Sequence, residues 1–153
     1  MEKILENLYE AKQRIQKIDH ILYITYPLIK DKKLLLKIIV EIKIAITKLI
    51  TCILQYEYLY KRIRLQKNPR QNLEIFKLKC APRYEIQIHE TKLIQKIIDI
   101  VEIHKNSPFE FRKQEKIIIL TKDSSPIVIV LKDIKDFLEL AKKILKKTTE
   151  RIK

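Results

Sequence analysis

Between residues 61 and 84 the chain carries Lys61, Arg62, Arg64, Lys67, Arg70, Lys77, Lys79 and Arg83 against one acid, Glu74. That is a local charge of +7 in a protein whose net charge is +14. Four of the six arginines ahead of Arg151 lie there. A guanidinium fork matches a phosphate with two parallel hydrogen bonds, whereas an ammonium acts as a point charge. Tyr56, Tyr58, Tyr60 and Tyr84 flank the segment, and an exposed tyrosine ring stacks on an unpaired base. Tyr56 and Tyr60 share one face of a helix while Tyr58 points elsewhere, so not all of them can serve. A second stretch, His104-Lys105-Asn106-Ser107-Pro108-Phe109-Glu110-Phe111-Arg112-Lys113, adds Arg112 and Lys113 to the basic surface. Phe109 and Phe111 are expected to anchor that loop to the core. The chemistry these side chains share is recognition of a polyanion.

Most other chemistries lack their residues. The chain has no glycine, which excludes the Gly-rich phosphate cradle, the dinucleotide fingerprint, the G-x-S-x-G nucleophile elbow and the EF-hand turn. Cys52 and Cys80 lie far apart, each inside a helical pattern, and read as buried reduced thiols. No Cys/His cluster suggests a zinc site, and neither a metal nor a cofactor is expected. Of the three histidines, His20 lies within the first helix and His104 in the last turn of another, where a cation suits the dipole. No two histidines are spaced four apart.

His89 follows Arg83 in Pro82-Arg83-Tyr84-Glu85-Ile86-Gln87-Ile88-His89, an Arg-x5-His pair in a polar connection between helices. Here the chain resembles the HEPN family, all-helical bundles, often dimeric, that include metal-independent ribonucleases with an Arg-x(4–6)-His motif. The resemblance implies that Arg83 stabilises phosphate charge and His89 transfers a proton, the two tasks of RNA cleavage. Tyr84 stands where that family usually has a small polar residue.

The elements that must carry these residues are mostly helical. Ile4, Leu8, Ala11, Ile15, Ile18 and Leu22 form an a/d seam, predicting a first helix of about 24 residues that Pro27 closes. Asp31 is read as the cap of a second, central helix reaching Leu65, and the two form a long helical hairpin over 2–65. Asn68-Pro69 opens a short helix over 69–80 that Pro82 ends, and another spans 90–105. The β-branched runs 116–121 and 127–131 predict a β-hairpin over 116–131, with Lys122-Asp-Ser-Ser-Pro126 as its loop. A last helix covers 133–150.

The fold class expected is therefore mainly α, a single domain over 1–153 with about five helices and one small β-hairpin before the C-terminal helix. Its 18.5 kDa and 46% apolar residues suffice for one core. The apolar stretch from Leu34 to Leu59 is broken by five charges, so a membrane span is not expected. A cytoplasmic protein is expected, and the Lys- and Ile-rich composition suits a thermophile or an AT-rich genome.

Charge is unevenly spread. Residues 1–30 sum to +1, 31–60 to +2, 85–141 to −1 and the tail from Lys142 to +5. The function expected is non-catalytic nucleic-acid binding, of RNA in particular, through 61–84 and the tail. One alternative is a HEPN-like ribonuclease using Arg83 and His89. Another is a helical subunit of a larger protein or ribonucleoprotein assembly, or a homo-oligomer, joined through the hairpin edge.

Overall fold

The structure, a computed structural model, describes residues 1–106, 110–113, 116–120 and 125–152. The side chains of Asn106, residues 110–113 and Leu120 lie outside the description, as do Ser107, Pro108, Phe109 and most of the predicted hairpin loop. The chain is a mainly α bundle. Helix α1 (Glu2–His20) passes through a π-helical turn (Ile21–Thr25) into α2 (Tyr26–Ile29), and the long α3 (Lys33–Leu59) returns beside it. Next come α4 (Pro69–Ile75), a second π turn (Phe76–Cys80), a 3-10 turn (Ala81–Tyr84) and α5 (Ile88–Asn106). Strands β1 (Glu110–Lys113), β2 (Lys116–Leu120) and β3 (Pro126–Val130) precede α6 (Leu131–Ile152).

The expected a/d seam is buried: Ile4, Leu8, Ala11, Ile15, Ile18 and Leu22 face α3. Helix α3 is the central helix, burying residues on more than one face, among them Leu35, Ile39, Ile42, Ile46, Leu49 and Ile53. Its start is held by Asp31, whose carboxylate accepts the Lys33 N–H at 3.0 Å.

Two proline stops are corrected. Pro27 and Pro82 do not end their helical runs. Proline removes a donor, and its ring strikes the carbonyl four residues back. In both places the residue before the proline donates five residues back instead: Tyr26 N–H to the Ile21 carbonyl, and Ala81 N–H to the Phe76 carbonyl. The widened turn accommodates the ring and the helix continues. The runs end at Lys30 (φ 55°) and Glu85 (φ 56°) instead, and α3 ends before Lys61 (φ 59°) rather than at Leu65. These left-handed positions usually take glycine, and this chain has none to place there.

The predicted hairpin is β2–β3, and β1 makes it a three-stranded antiparallel sheet of order β1-β2-β3. Ile117 faces Ile129 and Ile119 faces Ile127. Ile117, Ile119 and Ile129 are buried in the bundle's core, while Val128 on the other face is exposed. Both edges of β2 are paired. Arg112 and Lys113 sit on β1 opposite Ile117 and Lys116. Among the described residues, no helix is long and apolar enough to cross a membrane.

Candidate nucleic-acid interface

Helix α3 closes on itself before the basic segment begins. The Arg62 N–H reaches the Glu57 carbonyl at 2.9 Å and the Lys61 N–H reaches Tyr58 at 3.0 Å. Together these are the two bonds of a Schellman ending, with Lys61 in the left-handed position. The loop that follows alternates: Ile63 is buried and Leu65 partly buried, while Arg62 and Arg64 point outward. Its far end is clasped by Asn72, whose amide accepts the Gln66 N–H at 2.7 Å and donates to the Gln66 carbonyl at 2.9 Å. Asn68 then caps α4, accepting the Arg70 N–H at 2.8 Å.

The side chains divide into two groups. Lys61, Arg64, Lys67, Arg70 and Lys79 are exposed and make no ion pair among the described residues. From Tyr58 to Leu73 there is no acid at all, so the first four carry uncompensated charge along one held loop. The other three are engaged. Lys77 reaches Gln95 at 2.5 Å and Glu74 at 3.2 Å, over a cleft of about 510 Å³ that α5 and Ile127 line. Arg62 and Arg83 both turn to Glu57.

Glu57 was not foreseen. It is 1% exposed, in the last turn of α3. Its two oxygens take Arg62 at 2.6 Å and Arg83 at 3.4 Å. A buried carboxylate needs such partners, and this one adds its charge to the negative end of the helix dipole, which itself attracts cations. The hydrogen bond to Glu57 raises the Arg62 pKa above its ordinary value. Its position was legible as the continuation of the buried stripe Ile50, Ile53, Leu54.

Tyr84 is a correction. Its ring is 1% exposed and its hydroxyl makes no hydrogen bond among the described residues, so it offers no face to a base. Burial, reinforced by the Glu57 charge, pushes its pKa well up. The Arg151 guanidinium lies 5.4 Å from its ring centre, and Ala81 and Tyr84 both enter the core. Tyr58 and Tyr60, by contrast, are 57% and 50% exposed.

Arg83 and His89 are separated by the left-handed residue Glu85. His89 is exposed in the first turn of α5, which Glu90 closes by accepting the Gln87 N–H at 2.9 Å. Among the described residues no hydrogen bond joins Arg83 to His89. The tail is also engaged. Lys142 meets Asp19, Lys143 meets Glu90 at 2.6 Å and Lys147 meets Glu85 at 2.8 Å.

No protein-family model, curated protein or solved structure matches this chain.

His20 lines an open groove of about 1020 Å³ between α1 and α3, crossed by the Arg14–Glu41 ion pair at 2.5 Å. Cys52 and Cys80 are buried and unpaired; burial pushes their thiols up to about 12 and about 11. Among the described residues no group of three His, Cys, Asp or Glu side chains is placed to hold a metal. The sequence pointed to the loop through its charge, but it carried no sign of which arginines Glu57 would take.

Proposed function

We propose that this protein binds RNA through the loop joining α3 to α4 and the first turn of α4, without catalysing a reaction on it. One observation carries the reading: Lys61, Arg64, Lys67 and Arg70 are exposed, and unpaired among the described residues, along an acid-free stretch. The remainder of the chain up to the tail is nearly balanced, and three of the tail's six cations, Lys142, Lys143 and Lys147, are paired with Asp19, Glu90 and Glu85. Unpaired cations on a held loop are what a phosphate backbone meets with least ordering cost. Affinity comes mainly from release of counterions, so it falls steeply with salt. Arg83 adds to this surface only in part, because Glu57 shares its charge with Arg62.

Ultraviolet crosslinking to bound RNA, followed by peptide mapping, tests the assignment. Crosslinks are expected within 58–73. Crosslinks confined to α6 or to β1 would contradict it. Metal-independent cleavage of the RNA, lost in His89→Ala, would move the assignment to an Arg83–His89 ribonuclease.

A further inference from the structure

Beside these cations, α3 ends in a cluster of two tyrosine rings and an ion-paired arginine. The Tyr56 and Tyr60 ring centroids lie 4.9 Å apart, tilted by 55°. The Arg62 guanidinium sits 5.1 Å from the Tyr60 ring centre and 6.0 Å from that of Tyr56. Glu57 fixes the guanidinium at 2.6 Å, and the same residue's carbonyl holds the Arg62 backbone at 2.9 Å. Tyr56 is tied in turn through its hydroxyl, which donates to the Arg151 carbonyl at 3.4 Å. Tyr60 and Arg62 nonetheless stay open to solvent, at 50% and 40% exposure.

We infer that Tyr60 and Arg62 form a stacking platform for an unpaired base, so that the RNA is bound as a single strand. This rests on the RNA-binding reading above and specifies its ligand. Flat π surfaces and guanidinium planes both stack on bases, and every base has a face to offer. A duplex hides those faces, leaving only its backbone to the loop. Glu57 cancels much of the charge of Arg62, which leaves its plane rather than its charge as its contribution. The cluster is ordered before binding, so little side-chain entropy remains to be lost. Lys61 and Arg64 flank Arg62 in sequence, which places phosphate-binding charge on either side of the platform.

The test compares wild type, Tyr60→Leu, Tyr60→Phe and the triple variant Arg64→Gln/Lys67→Gln/Arg70→Gln. The probes are a labelled single-stranded oligoadenylate RNA and an RNA duplex of equal length, with affinity read by fluorescence anisotropy across a salt series. Tyr60→Leu is expected to weaken single-strand binding by between about fivefold and a hundredfold, leaving duplex affinity and salt slope unchanged. Tyr60→Phe keeps the ring and is expected to bind as wild type does. The triple variant is expected to weaken both probes and flatten both slopes. Equal affinity of wild type for strand and duplex, or an undiminished Tyr60→Leu, would overturn the platform while the triple variant still reported the phosphate contacts. If the triple variant left both probes unchanged, the phosphate reading itself would fall, and the platform with it.

Discussion

A carboxylate in the last turn of a helix meets the negative end of the helix dipole, and Glu57 does so with a side chain only 2% exposed. Arg62 and Arg83 answer that charge, while Arg64, two residues from Arg62, meets no acid among the described residues. The two neighbours should therefore differ in what they do for the fold. Arg62→Gln leaves the buried Glu57 carboxylate with the longer Arg83 contact alone and is expected to lower the unfolding midpoint. Arg64→Gln should change stability by under about 0.5 kcal/mol. Urea unfolding of the two variants measures the difference, and equal midpoints would contradict the role given to Glu57. The sequence shows the basic residues but does not sort them. Side chains so close in the chain differ only in what the third dimension brings to them. Tyr84 was misjudged for the same reason: it adjoins an exposed arginine in sequence, yet the 3-10 turn directs it inward.

At the scale of elements, the long helices were legible because their apolar spacing repeats over many turns, and their ends were not. Prolines mark a missing donor, but one i→i−5 turn before each lets the helix continue through it. Strand β1 was missed because Glu110-Phe-Arg-Lys113 has neither β-branched residues nor alternation; β2 recruits it by pairing. The docking of α6 shows how the tail's charge is used, and it sets a pH dependence. The hydrogen bond from Lys147 holds the Glu85 carboxyl below 4.5. Burial works to raise Glu90, but its hydrogen bonds from Lys143 and the Gln87 N–H prevail and hold it below 4.5 as well. The hydrogen bonds to Asp19 and Glu85 raise Lys142 and Lys147 above 10.5. Lowered carboxyls stabilise the fold above their unfolded pKa, and that stability is lost as the pH falls through the folded one. Raised ammoniums stabilise below their unfolded pKa, and that stability is lost as the pH rises through the folded one. Stability from these contacts should thus hold between 4.5 and 10.5 and decline on either side. In thermal melts, the gap in Tm between wild type and Lys147→Met should narrow as the pH falls below 4.5. A gap that stays constant would show that the pair does not contribute through its charge.

The whole molecule joins a largely aliphatic core to a surface whose charge excess is concentrated. Apolar spacing indicated a mainly α domain, while composition indicated one core and, through the absence of glycine, excluded many known sites. Composition also indicated a net charge of +14, but not which part of it faces outward. The fold turns Lys142, Lys143 and Lys147 onto neighbouring acids and leaves Lys61, Arg64, Lys67 and Arg70 exposed without one among the described residues. If RNA lies along that loop as proposed, its affinity must carry the salt dependence of those four cations. Four phosphate contacts on a single strand correspond to a slope of about −3 in log K against log salt. Replacing Arg64, Lys67 and Arg70 by glutamine should bring the slope to about −1 and remove most of the affinity, with the fold intact. An unchanged slope and affinity in that variant would rule out RNA binding through this loop.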